Sequence, residues 1–168
     1  MPSLKSCLSC PSCKRRLNDS GSEMTCPNCS KVFAVVGEIP RFVPKENYAE
    51  SFGLQWNRFA STQIDSKVGT NRSEIRFREE TLWGEKDLNG KLVLDAGCGS
   101  GRFSEIALKL GASLIAVDYS SAVEASKQNL SAENKLIVQC DLATLPILDK
   151  TFDFIYCIGV LQHTSEPA

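Results

Sequence analysis

An acid followed by three alternating glycines, Asp95-Ala-Gly97-Cys-Gly99-Ser-Gly101, is the part of this sequence best suited to chemistry. An apolar run (Leu92, Val93, Leu94) leads into it. Phe103, Ile106, Ala107 and Leu110 follow at helical spacing as far as Gly111. A glycine turn lets the backbone approach a ligand where a Cβ would block it, and the free amides at the start of a helix then face that ligand. The pattern is a nucleotide-type cofactor site at the end of a strand. Dinucleotide sites use Gly-x-Gly-x-x-Gly around a pyrophosphate. Here the third glycine comes one residue early, and Asp95 would repel a pyrophosphate while suiting a cationic ammonium or sulfonium group.

Four thiols form the second constellation. Cys10-Pro-Ser-Cys13 and Cys26-Pro-Asn-Cys29 are paired turns with twelve residues between them, and two such turns bring four thiolates into the tetrahedron of a closed structural zinc site. The shared Cys-Pro-x-Cys pattern selects Cys10 as ligand, with Cys7 at the same spacing as the alternative register. A pair of disulfides is the competing reading. The absence of a signal-peptide pattern and the cysteines of the following domain point instead to a reducing cytoplasm. A site closed by four cysteines leaves no open position, so the ribbon stabilises or recognises and does not catalyse.

The elements that must hold the glycine site can be read in order. After Leu92–Leu94, the run 112–117 is a second strand ending in Asp118 and Tyr119, with Ser121 and Glu124 at capping-box spacing for a helix. Residues 135–140 form a third strand ending in Asp141 and Leu142, and 152–158 a fourth that leads to His163. Asp95, Asp118 and Asp141 close their strands at intervals of 23 residues. Parallel strands joined by helices place those ends on one edge, where open α/β sheets bind ligands. An acid after the second strand can accept two ribose hydroxyls. Cys98, Cys140 and Cys157 read as small core residues.

From Leu92 to Pro167 the ordered motifs Leu-Asp-x-Gly-Cys-Gly-x-Gly, Val-Asp-Tyr-Ser, Cys-Asp-Leu and Phe-Asp-Phe-Ile with Leu-Gln-His resemble the class I S-adenosylmethionine-dependent methyltransferases, type 11-like group. The resemblance implies S-adenosyl-L-methionine as cofactor. Asp95, Gly97, Gly99 and Gly101 would line its amino-acid end, Asp118 the ribose, and Tyr119 the adenine. Asp141 and Leu142 would meet the adenine edge, and Cys157 and Ile158 would lie beneath the cofactor. His163 would stand near the methyl, although a capping or packing role suits it equally and no general base is named. The implied fold is α/β, a Rossmann-like doubly wound parallel sheet preceded by a small β zinc ribbon and a helical linker. The implied boundaries are 1–45 for the ribbon, 46–90 for a linker or lid, and 91–168 for the cofactor domain. Four strands of the family's seven are found, so the chain is expected to be an N-terminal fragment, inactive alone; a complete cofactor-binding protein without chemistry is the rival.

The linker carries Tyr48, Phe52, Trp56 and Phe59 at helical spacing, read as a packing face or as a lid with Gln55 or Trp56 toward the acceptor, and a second helix near 73–82. The run 52–59 after a cysteine ribbon resembles bacterial methyltransferases of small-molecule or surface-glycan pathways. A small-molecule acceptor is therefore the first expectation. An RNA acceptor held by the ribbon is the second: residues 1–45 hold seven Lys or Arg against three Asp or Glu, chiefly Lys14, Arg15 and Arg16, but strong nucleic-acid footprints are far more basic. Ribbons joined to such domains resemble certain ribosomal-RNA guanine methyltransferases, which use a different final ligand pair. An NAD-linked oxidoreductase shares Asp118 but neither Asp95 nor the glycine spacing. The net charge of −1 and the lack of a ~20-residue apolar run give no sign of a membrane partner.

Overall fold

The computed structural model describes residues 3–44 and 57–163 of the 168-residue chain. The cysteine turns belong to an antiparallel sheet of β1 (Asn18–Asp19), β2 (Glu23–Thr25), β3 (Val32–Val36) and β4 (Ile39–Pro40), paired in chain order. Among the described residues the helices α1 (Asp65–Val68), α2 (Arg72–Thr81) and α3 (Glu85–Leu88) follow. A second sheet then alternates with helices: β5 (Leu92–Ala96), α4 (Arg102–Lys109), β6 (Ser113–Asp118), α5 (Val123–Asn129), β7 (Lys135–Gln139) and β8 (Phe154–Tyr156). Its order is β7-β6-β5-β8 and every pairing is parallel. The predicted first three strands match β5, β6 and β7. The fourth is shorter than the predicted run over 152–158, because only Phe154–Tyr156 pair with β5, so Cys157 and Ile158 lie just past its end.

Leu114, Ile115, Ala116 and Val117 are all 0% exposed, as a central parallel strand covered on both faces must be. Alternate residues serve two cores. Val93, Leu114, Ala116 and Ile137 face a helical layer with Phe77 of α2, Ile106 of α4 and Val123 of α5. Leu94, Ile115, Val117 and Val138 face the ribbon, packing with Leu8, Met24 and Ile147. Among the described residues, the second face of the sheet is thus covered by the cysteine ribbon and the 142–152 connection, and the helices lie on the other. The ribbon also flanks the outer edge of β7, where Arg41 bridges Gln139 in parallel and the Phe42 amide donates to the Gln139 carbonyl at 2.8 Å, as in a ladder bond.

The aromatic run of the linker falls on residues 45–56, outside the described residues, apart from Phe59, which is half exposed. The second linker helix is present as α2. Its first amides are capped from a distance by Asp65, whose carboxylate accepts from Ser73 N at 3.1 Å and Glu74 N at 3.0 Å. The capping box expected from Ser121 and Glu124 does not form. Asp118 accepts from Ser120, the Ser120 hydroxyl accepts from the Ala122 amide at 3.2 Å, and Glu124 turns to Arg41. The start of α5 at Ala122 carries no side-chain cap, and Ser121 Oγ accepts instead from Asn57 Nδ2 at 3.4 Å.

Gly101 opens α4 at φ +90, and a Cβ there would lie 3.1 Å from Ser126 Oγ and 3.2 Å from Leu130 Cγ. Its lack of a side chain lets α4 pack against α5. Gly21 has a similar φ, +93, with nothing within 4 Å of a Cβ. Gly101→Ala is expected to lower unfolding free energy by roughly 3 kcal/mol, and Gly21→Ala by roughly 1 kcal/mol, since both incur left-handed strain but only the first overpacks. Urea denaturation of the two variants checks this; equal losses would refute the packing role of Gly101.

Candidate cofactor site and thiol cluster

Three neighbouring strands in parallel register carry their last acids to one edge: Asp95 of β5 lies opposite Ala116 of β6, and Asp118 of β6 opposite Gln139 of β7, two residues before Asp141. The glycine loop sits on this edge with Gly97, Gly99 and Gly101 all at positive φ. Its amides are tied to the end of β6. Gly97 N and Cys98 N donate to the Val117 carbonyl at 2.8 and 2.9 Å. Gly99 N donates to Asp118 Oδ2 at 2.9 Å. Asp118 Oδ1 accepts from Ser120 N at 2.8 Å and from its hydroxyl at 2.7 Å. Asp118 therefore holds together the two loops that follow β5 and β6.

Asp95 is buried beneath this loop and accepts from the Ser104 hydroxyl at 2.6 Å. Its register partner on β8, Tyr156, has a buried hydroxyl outside hydrogen-bond geometry. Burial pushes the Asp95 carboxyl up to about 7; the Ser104 hydrogen bond pulls the other way and the Asp118 charge adds to the rise. Asp141 accepts from the Ala143 amide at 2.9 Å and so caps the short 3-10 turn Leu142–Thr144. Tyr119 and Leu142 are half-buried. Past β8, Cys157 and Ile158 are half-buried, packing against the ribbon-side and helix-side cores respectively. Val160 lies across the glycine loop: a Cβ on Gly97 would fall 2.4 Å from Val160 Cγ2. His163 ends the last described turn, Leu161–His163. Burial raises the thiols of Cys98, Cys140 and Cys157; they stay protonated and pack as small apolar groups.

Sequence reading did not single out Ser104, Tyr156 or Val160. Ser104 lies one turn along α4 from the loop, and nothing in its spacing marks it as the partner of Asp95. A cleft of about 540 Å³, lined by Lys5, Glu38, Lys127 and Lys135 among others, lies at the N-terminal ends of β6 and β7. It is at the opposite end of the sheet from the glycine loop and forms no part of this site.

Cys10, Cys13, Cys26 and Cys29 converge so that their sulfurs all lie within 4.8 Å of one another. Cys10–Cys29 and Cys13–Cys26 are separated by 3.6 and 3.4 Å, well beyond a covalent S–S bond. Sulfurs about 2.3 Å from a tetrahedral zinc lie about 3.8 Å apart, so the four thiols fit a closed zinc site. Cys7 stands outside the group; its carbonyl accepts from the Leu148 amide at 3.0 Å. In the basic run, Lys14 Nζ donates to the Leu145 carbonyl at 2.8 Å and Arg16 Nη1 to the Ser6 carbonyl at 3.3 Å.

Residues 94–168 match the family described as a methyltransferase domain. This segment belongs to the class I S-adenosylmethionine-dependent methyltransferases. The mitochondrial ubiquinone biosynthesis O-methyltransferase of Schizosaccharomyces pombe is 34% identical over 123 residues, covering 67% of this chain and 45% of the relative. The ubiquinone biosynthesis O-methyltransferase of Coxiella burnetii is 36% identical over 100 residues, 58% of this chain and 41% of the relative. The chain thus spans less than half the length of these relatives. Among solved structures, magnesium protoporphyrin IX methyltransferase from Synechocystis with bound SAH superposes with a TM-score of 0.51 at 25% identity, over 70% of this chain and 57% of that one.

The Asp95 environment gives the methyltransferase segment a pH signature. Its carboxyl is raised in the fold, so the native state holds a proton that the unfolded state releases. Stability is uncompromised below about 4, falls as pH rises toward about 7, and is flat above that for this group. Asp95→Asn is expected to remove this fall: the difference in unfolding free energy between pH 5 and pH 8 should be smaller in the variant by more than about 1 kcal/mol. Urea titrations of both proteins at the two pH values measure it, and identical pH slopes would rule out a neutral Asp95.

Proposed function

We propose that this chain is the cofactor-binding part of an S-adenosyl-L-methionine-dependent methyltransferase acting on a small-molecule acceptor. The observation that carries the reading is the sheet edge at which Asp95, Asp118 and Asp141 close three neighbouring strands beside the glycine loop. Glycine amides and carboxylates at such an edge suit an adenosine-bearing cofactor with a cationic end. The names of the relatives support a small-molecule acceptor.

When bound, the cofactor supplies a methyl group open to attack by an acceptor oxygen, nitrogen or carbon. The chain's own residues would bind and orient. Asp118 would accept ribose hydroxyls while keeping Gly99 and Ser120 in place, with Tyr119 and Leu142 along the adenine and Asp141 at its amine. Asp95 would face the cationic end below Gly97 and Gly99. Cys157, Ile158 and Val160 would exclude water from beneath. Orientation of this kind is worth up to ~7–11 kcal/mol in well-aligned systems.

The four thiols would hold a structural zinc, and eight cysteines without a disulfide suit the reducing cytoplasm. The RNA reading is less well supported, because Lys14 and Arg16 are engaged with carbonyls of the chain itself. No helix among the described residues is long and apolar enough to cross a membrane.

Asp118→Ala is expected to weaken SAH binding by more than about tenfold, as loss of a charged acceptor does. Calorimetric titration, with NAD as the competing ligand, checks this. Binding of NAD in preference to SAH would overturn the cofactor assignment, and unchanged SAH affinity in a folded Asp118→Ala would overturn the placement of the ribose. For the thiols, Cys26→Ser should reduce bound zinc from about one per chain to a small fraction. Metal analysis of the purified variant reads this directly, and retention of full zinc would exclude the four-cysteine site.

A further inference from the structure

Two ribbon contacts end on the segments that follow β6 and β7, at the edge that carries Asp118 and Asp141. Arg41, with its side chain 14% exposed, donates from Nη1 to Gln139 Oε1 at 2.8 Å. Its Nη2 donates to Glu124 and to the Val36 carbonyl. Gln139 is 6% exposed and turns its Nε2 to the Tyr119 carbonyl at 3.0 Å. The Tyr119 carbonyl shares a peptide plane with the Ser120 amide, which is bonded to Asp118 Oδ1. The second contact is a row of bonds to the 145–148 segment: Lys14 Nζ to Leu145 O at 2.8 Å, Ser9 N to Pro146 O at 2.9 Å, and Leu148 N to Cys7 O at 3.0 Å.

The chemistry of the first contact is directional. A glutamine side chain has an acceptor end and a donor end. A guanidinium only donates and a peptide carbonyl only accepts, so Arg41 and Tyr119 can share Gln139 in one orientation alone. Removing Arg41 leaves Gln139 Oε1 without its donor, so the side chain is no longer held at both ends and its Nε2 is free to leave the Tyr119 carbonyl. The guanidinium also presents a rigid fork to three partners at once, which a lysine ammonium does not reproduce.

We propose that Arg41 is a positioning residue of the cofactor site: through Gln139 it fixes the Tyr119–Ser120 peptide and with it the carboxylate of Asp118. The ribbon is then a brace for the wall that receives the adenosine, an assignment that rests on the cofactor reading above. Gln139→Glu separates this role from simple docking. The new carboxylate keeps Arg41 as a charged partner but has no donor for Tyr119.

The test uses the zinc-loaded chain, with hydrogen exchange of the Ser120 amide measured without cofactor and SAH affinity measured by calorimetry. Arg41→Ala and Gln139→Glu are each expected to speed Ser120 exchange and to weaken SAH by roughly tenfold, while Gln139→Glu retains its zinc and its thermal midpoint. Lys127→Ala serves as control: it removes ribbon contacts to Gly37 O and Glu38 at the opposite end of the sheet and should leave both readouts unchanged. Unaltered Ser120 exchange in Arg41→Ala and Gln139→Glu would overturn the proposal, as would an equal loss of SAH affinity in Lys127→Ala. Failure of the unsubstituted chain to bind SAH would instead overturn the cofactor reading, and the exchange data would still decide whether Arg41 positions Tyr119.

Discussion

Parallel pairing of β5 with β6 and of β6 with β7 is the constraint from which the site follows. A parallel ladder returns each strand in the same direction, so every connecting helix must cross back over the sheet and every strand ends on the same edge. Acids at those ends become neighbours although 23 residues separate them in the chain. The glycine loop can reach that edge only because it leaves β5 at the same level. It is then bonded to Val117 and Asp118 of the adjacent strand. Moving β6 by one residue would carry Asp118 to the other face of the sheet and separate it from Gly99.

A sheet of this kind must be covered on both faces, and the two faces are covered by different means. One receives α2, α4 and α5, whose apolar residues recur with helical period. The other receives the ribbon, which contributes Leu8 and Met24. Burial of such side chains is worth about 1.5–3 kcal/mol each. So small a ribbon has little core of its own, and the thiol cluster and the sheet supply what its strands lack. The ribbon's fold and the closure of the second face are therefore one problem. Its contacts reach from Lys127, beside the N-terminal end of the sheet, to Arg41 and Lys14 at the cofactor edge.

Within the site, the same groups bind the protein together and carry the charge expected to meet a ligand. Asp118 holds Gly99 and Ser120, and Asp141 caps a turn. Asp95 is set apart by burial beneath the loop, with one hydroxyl partner and an acidic neighbour, and its charged form is disfavoured until a cation approaches. Gly97 and Gly101 must both lack a side chain, because Val160 occupies the space beside the first and α5 packs against the second.

Strands β5, β6 and β7, the acids that end them, the glycine loop, the helix after it and the four thiols are all legible in the amino-acid order alone. These are local features: an apolar run of strand length, a turn that needs positive φ, and a Cys-x-x-Cys turn each leave their mark within a few residues. The same local reading overestimated the length of β8 and gave Ser121 a capping role that it does not fill. Only the tertiary structure decided that the ribbon covers the second face, that Gly101 serves helix packing, and that Arg41 and Gln139 meet across 98 residues of chain. A pair so far apart has no periodicity or spacing to betray it. Its partners are chosen by where the folded sheet places one donor and one acceptor, and that exists only once the chain has closed on itself.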